Sequence, residues 1–301
     1  MNWNKCLFLL LSFLSFEISN AQKDFNNFLK PSDSLNSQRR NTVVISEVLA
    51  SSITLVGLNQ LWYADYPKSK FHFINDNSEW MQMDKMGHLF SCYHISNRSV
   101  NALKWAGVQK DKQLIYSAAL GLTFMTTVEI FDGFSEQWGA SSGDLVANIA
   151  GTGLFVYQEI LWKEQRIIPK FSFHTTRYAA LRPNILGNSL NEQILKDYNG
   201  QTYWLSANVN SFLKSSKIPN WLNFAIGFGA EGMISANGDY LASEPKRYRQ
   251  FYLSLDVDLT RIKTKSPLLK TLFSVFNCIK VPAPTIEFSR NNQLKGHFIY
   301  F

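Results

Sequence analysis

Three runs of this sequence set ionisable side chains among apolar, helix-forming residues, and their spacing decides which chemistry they could share. In EWMQMDKMGHLFSCYHIS (79–96), Asp84 and His88 are four apart and would lie on one helix face. A carboxylate beside an imidazole can orient it, raise its basicity, or join it in holding a metal. Lys85 would point elsewhere, toward headgroups or an anionic ligand. In VEIFDGFSEQWG (128–139), Glu129 falls on the stripe of Leu122, Met125 and Thr126, which turns it inward, and Asp132 follows three residues later. A buried carboxylate needs a partner or a proton, and His88 or Lys85 is the natural partner. In SSGDLVAN (141–148), Ser141 and Asp144 fit a capping box, and Asn148, between Ala147 and Ile149, needs hydrogen-bond partners if it is buried.

Each residue also has a plainer account. Asp84 would sit in the first turn of its helix, where negative charge is stabilised by the helix dipole. Glu129 and Asp132 would form a solvent-facing helix end, and Asp144 would serve only as a cap. The loop FHFINDNSEW (71–80) brings His72, Asn75, Asp76 and Glu79, either to cover one end of the cluster or as ordinary solvated polarity. Together, His88, Asp84, Glu129, Asp132, Asp144 and Asn148 form the candidate catalytic set, and Lys85, His72 and Asp76 the candidate ligand-binding set. A divalent metal, if present, would fall to His88, Asp84 and Glu129. A paired Glu-x-x-His motif is missing, which argues against a di-iron centre. With no Ser or Cys in a recognisable nucleophile setting, water activated by His88 or by a metal is the expected attacker.

Four apolar segments must position these groups: 43–63, 83–105 with Gly107 as a stop, 112–131 closed by Gly133, and 144–162 capped by Ser141 and Ser142. Segments one, three and four approach bilayer-spanning length, although each carries an acidic residue. Gly143, Ala147 and Gly151 recur every four residues, and Ser117 with Gly121 repeats the device, so other helices can approach closely. A membrane-embedded group of helices and a soluble bundle both fit these features.

The pattern changes beyond Arg166. RQFYLSLDVDL (249–259) sets Phe251, Leu253, Leu255, Val257 and Leu259 against Tyr252, Ser254, Asp256 and Asp258, and WLNFAIGFGAEG (221–232) alternates likewise. Further strands are expected at 201–209, 170–178, 284–289 and 296–301, with one helix at 267–279. The fold class is α+β: an N-terminal four-helix region over 41–166, then a mainly antiparallel β region over 167–301. Such strands fit an ordinary half-buried sheet or part of an outer-membrane barrel.

MNWNKCLFLLLSFLSFEISNAQ reads as a secretory signal cut after Ala21, followed by a flexible arm over 22–40. Cleavage removes Lys5 and Glu17 together, so the formal charge of +7 persists in the mature chain. An exported basic chain meets anionic lipid or envelope polymers rather than nucleic acid. Cys92 and Cys278 read as buried thiols.

The runs 71–96 and 129–153 resemble the YfiM-like family of predicted periplasmic lipoproteins, a domain of unknown function, over roughly residues 60–165. The likeness rests on Asp-Lys-x-x-His, Glu-x-x-Asp-Gly and Asp-x-x-x-Asn. The strand-rich tail and the SNAQ signal ending look like those of related proteins from the Bacteroidetes lineage. More distantly, Asp84, Lys85, His88, Glu129, Asp144 and Asn148 look like the pattern of VanZ-like membrane proteins, with Asp132 where Glu-x-x-Gln is expected. The chain has no lipoprotein cysteine. The resemblance implies a periplasmic or outer-membrane location and a residue list, without a reaction. Two functions are expected in competition. One is a site that binds or processes an amphiphilic envelope molecule, such as a lipid-linked one. The other is a structural or assembly role in which the cluster fixes helix register and the strands join an outer-membrane sheet or barrel.

Overall fold

Capping residues and glycines set the helix limits in the computed structural model, which describes residues 25, 27–215, 217–238, 244–289 and 293–301. The signal expected over 1–21, with Cys6, lies outside the described residues. Helix α1 (Ser37–Leu58, extended by a wider turn over Asn59–Tyr63) starts where the Asn36 side chain accepts from Arg39 N, inside the arm expected over 22–40. Helix α2 (Met83–Trp105) ends before Gly107, whose φ of +71° suits glycine, and whose missing side chain leaves room for the Ser34 carbonyl. Helix α3 spans Lys110–Gly133 and α4 spans Ser142–Leu161.

All four expected segments are helical, but they do not form an even four-helix bundle. Helix α2 runs between α3 and α4, against small residues on both. A side chain at Gly121 would meet Ser96 and the Cys92 carbonyl, and one at Gly151 would meet the Leu89 carbonyl. Helix α1 stands apart, with Val43 its one buried residue, packed on Leu103, Ala106 and Val108. It and α3 are long and apolar enough to cross a membrane, and only 6 % and 22 % of their most apolar stretches are buried. Low burial distinguishes them from the core helices of a soluble protein.

The remaining chain forms a six-stranded antiparallel meander: β3 (Ile167–Phe173), β4 (Gln201–Asn208), β5 (Leu222–Glu231), β6 (Tyr248–Val257), β7 (Ala283–Ser289) and β8 (Gln293–Tyr300). Helix α5 (Pro267–Phe276) lies between β6 and β7 as expected, but it is not alone: short helices over Pro183–Leu186, Leu190–Lys196 and Val209–Leu213, started by Pro183 and by the Ser189 and Asn208 caps, correct the expectation of one helix in this region. A two-stranded parallel pair, β1 (Phe73–Ile74) with β2 (Ala140–Ser141), ties the loop before α2 to the start of α4.

The meander is rolled with its polar face inward. Trp204, Ser206, Asn223, Tyr252, Asp256 and Lys170 are all at most 1 % exposed, while Ile226, Phe251 and Leu255 are 54 %, 50 % and 49 % exposed. Lys170 donates to Val257 O and pairs with Asp256 Oδ2 at 2.8 Å, and Asp256 also accepts from Ser206 Oγ and Val281 N. Tyr300, on the last strand, reaches Tyr252 OH at 2.8 Å and Thr202 Oγ1 at 3.2 Å, so the roll is tight. The chain entering β7 closes part of the remaining gap: Phe171 N donates to Cys278 O and Lys280 N to Phe171 O. β8 pairs only with β7 among the described residues, so the roll has an open edge. Helix α2 covers one patch of the outer apolar face, where Met83, Met86 and Phe90 pack on Phe171, Tyr203 and Phe228. Cys92 is buried and Cys278 half-buried, and both are free thiols.

Candidate functional site

The polar cluster forms where the β1–β2 pair, the first turns of α2 and α4, and the last turns of α3 converge. Three successive residues before α2, Trp80, Met81 and Gln82, have φ of 44°, 51° and 65°, a left-handed turn without glycine that costs energy at each residue. A hydrogen bond from Trp80 N to Ala236 O and the full burial of Met83 hold this turn against the sheet. It delivers Asp84 and Lys85 to the inside.

Lys85 is the centre of the first part of the site. Its ammonium lies 2.8 Å from Asp76 Oδ2, 2.9 Å from Asp84 Oδ2 and 3.0 Å from Asp144 Oδ1. The expectation that Lys85 points away from the cluster is therefore corrected: three carboxylates within reach outweigh solvation of a single ammonium. Burial opposes the charge on Lys85, but Asp84, Asp76 and Asp144 hold it well above the ordinary lysine range. Burial alone would raise Asp76, yet hydrogen bonds from Lys85 and Ser141 bring it below the usual carboxylate range. Burial, then the neighbouring Asp84 charge, pushes Asp144 up to about 7 against the pull of Lys85. Burial also raises Asp84.

Ser141 joins the parts: its hydroxyl donates to Asp76 Oδ1 and accepts from Asp144 N, while its own N–H donates to Glu129 Oε2 at 2.9 Å. It caps α4, as the sequence indicates, and it also orders two acidic side chains, which the capping pattern alone does not reveal.

The second part is built on His88. Its Nδ1 lies 3.0 Å from Asn148 Oδ1, and its Nε2 lies 3.6 Å from Glu129 Oε1. Glu129 is 2 % exposed and Asn148 fully buried. Asp132 sits nearby but is held by Tyr63 OH at 2.8 Å, a partner from the end of α1. Of the loop residues, Asp76 enters the cluster, and Glu79 borders the cavity described below and accepts from Asn237. His72 stays outside, against Ser69 and the Lys70 carbonyl, and Asn75 bonds Asn77 at the surface.

A cavity of about 830 Å³ opens from this cluster between α1, α2, α3 and the sheet. Asp84, His88, Asp132 and Asp144 line one end. Leu58, Leu120, Phe124, Val128 and Phe90 line its body, and Glu47 and Arg98 stand farther along. Its size is that of a small-molecule site. The arrangement can orient an imidazole, concentrate negative charge and accept an apolar chain.

Residues 72–159 match the family described as Predicted periplasmic lipoprotein (DUF2279), a domain of unknown function. The matched stretch contains Asp76, Asp84, Lys85, His88, Glu129, Asp132, Ser141, Asp144 and Asn148, whereas Tyr63 and the rolled sheet fall outside it. The family's description agrees with an exported, periplasmic location. No curated protein and no solved structure matches the chain.

Proposed function

We propose that this chain, carrying a periplasmic domain at its centre, binds an amphiphilic molecule of the cell envelope, with the tail along the cavity and the head at the His88 and Asp144 end. The observation that carries this reading is the cavity itself: an apolar body between helices, ending on a buried acidic and imidazole cluster. The two exposed apolar helices α1 and α3, both of which wall the cavity, would let a lipid enter from the bilayer without crossing water. An amphiphile of this class leaves polar and apolar walls each matched, and neither nucleic acid nor a small polar metabolite does. The test is mass spectrometry of the organic extract from purified full-length protein. Wild type is expected to carry a lipid in near-stoichiometric amount. Leu120→Trp, which fills the cavity body, is expected to lose it while melting within a few degrees of wild type. Equal lipid in both proteins would rule the reading out.

A second reading has its own observation: the inverted sheet. Apolar side chains outside and a hydrogen-bonded polar interior are the pattern of strands that face lipid. In this reading the chain is an assembly or structural element, with its strands seated against the outer membrane. Ile226→Lys places a charge on that face. In water the change is nearly neutral, whereas against acyl chains it costs about 2–4 kcal/mol near the midplane. The variant is expected to be released from membranes by carbonate washing under conditions that retain wild type. Unchanged retention would remove the sheet from the membrane contact.

A further inference from the structure

We propose that the second part of the cluster is a divalent-cation site, with zinc bound by His88 Nε2, one Glu129 oxygen and one Asp144 oxygen. It shares its location with the proposed amphiphile site and would set the cation at the head end of the cavity.

The geometry carries the argument. Donor atoms of His88, Glu129 and Asp144 all lie within 4.8 Å of one another, as do those of Asp76, Asp84 and Asp144. The two trios differ in what fills them. The second already holds a cation of the protein's own, the Lys85 ammonium. The first shares Asp144 with that ammonium, at Oδ1, but among the described residues no lysine or arginine pairs with Glu129.

The imidazole is oriented as a ligand. Asn148 Oδ1, which also faces the Cys92 thiol at 3.6 Å, accepts from Nδ1–H, so the lone pair belongs to Nε2. That lone pair is aimed at Glu129 Oε1, 3.6 Å away. Glu129 is 2 % exposed, and Oε1 has no hydrogen bond among the described residues, while Oε2 takes the Ser141 amide. Two electron-rich atoms facing each other in a dry site need a positive centre between them. Imidazole nitrogen and carboxylate oxygen both bind zinc, and three protein ligands leave the remaining position for water or ligand. His88 and Asp144 border the cavity, so the open position would face it. The ligand set also differs from the sequence expectation, with Asp144 in place of Asp84, because it is an Asp144 oxygen that lies within 4.8 Å of donor atoms of both His88 and Glu129.

The competing occupant is a proton, which would make an imidazolium–carboxylate pair. Full-length protein stripped with chelator and dialysed against zinc sulfate distinguishes them by elemental analysis. Wild type is expected to retain about one zinc per chain. Asn148→Ala is expected to weaken binding by about 10–100-fold, and Glu129→Gln by at least as much. Asp84→Asn should bind zinc within a few-fold of wild type. Wild type retaining no more zinc than Glu129→Gln, or Asp84→Asn losing as much as Glu129→Gln, overturns the site. Glu129→Gln is nearly isosteric, and a matching thermal melt keeps the comparison free of misfolding. Lipid extracted from the same samples is a separate readout: zinc without lipid sinks the cavity reading alone, and lipid without zinc sinks this one alone.

Discussion

Lys85→Met is expected to destabilise the protein by about 3–5 kcal/mol, the range for removing one partner from a buried ionic group. The ammonium is the shared neighbour of Asp76, Asp84 and Asp144, and its side chain is 12 % exposed. Those carboxylates come from three separate elements: the loop after β1, helix α2 and helix α4. Without the lysine they repel each other in a poorly hydrated space, so the elements should part. The effect has a pH signature. In the native protein Asp144 already titrates at about 7, above its ordinary value of 3.8. A group raised in the folded state favours folding while protonated, below its unfolded pKa, and that contribution is lost as pH rises through the folded value. Removing Lys85 raises Asp84 and Asp144 further and takes away the hydrogen bond and charge that hold Asp76 low. The deficit of Lys85→Met relative to wild type should therefore be small near pH 4 and grow through pH 7 and above. Denaturant melts at several pH values measure it. A deficit that is absent, or the same at every pH, would mean that the three carboxylates do not depend on this lysine.

The second large effect lies in the rolled sheet. Lys170→Met is expected to cost a similar amount, about 3–5 kcal/mol, because it leaves the carboxylate of Asp256 with only a more distant cation. Lys170 and Asp256 are fully enclosed side chains 2.8 Å apart, and Lys280 lies 3.9 Å from the other Asp256 oxygen. An alternating strand in an ordinary soluble sheet would turn Lys170 to solvent, and methionine there would change stability by only a few tenths of a kcal/mol. The substitution thus reports which face of the sheet is inside. Trp204 gives the readout, since its indole donates to Ser172 within the same interior. A Lys170→Met protein that melts like wild type would show the polar face to be the solvated one. Asp256→Asn added to Lys170→Met should recover part of the loss, because the remaining group no longer carries an unpaired charge.

Much of the architecture could be read from local pattern. The four helical segments, the strand positions and the helix after β6 follow from period and caps, because hydrogen bonding within an element depends on its own residues. Ser141 caps α4 and Gly107 ends α2 for reasons contained in a few neighbouring positions. The small residues Gly121 and Gly151 likewise announce close helix approach, and the structure presses each against the backbone of α2. The inward turn of Glu129 was also legible, since a carboxylate on an apolar stripe has few other directions.

The partners of these groups were not legible. His72 and Asp76 look alike in the loop, and only the parallel pairing of Ile74 with Ser141 carries Asp76 to the cluster and leaves His72 outside. Lys85 turns inward because a left-handed turn at residues 80–82 sets the entry of α2, and nothing in the residue types there favours positive φ. Tyr63 reaches Asp132 from a helix 69 positions away in sequence.

Read alone, the sequence reveals the four apolar helices, the strands of the meander, the helix after β6, an exported character and the polar residues carried on apolar helices, but not the β1–β2 pair or the short helices among the strands. Tertiary structure alone decided which charges meet, and that the strands turn their polar face inward. The reason is physical: alternation and helical period are properties of a single segment, and they divide its residues into two faces without saying which face is enclosed. Enclosure depends on what the rest of the chain packs against each face, and so do the distances that make Lys85 a shared counterion and His88 the neighbour of Glu129.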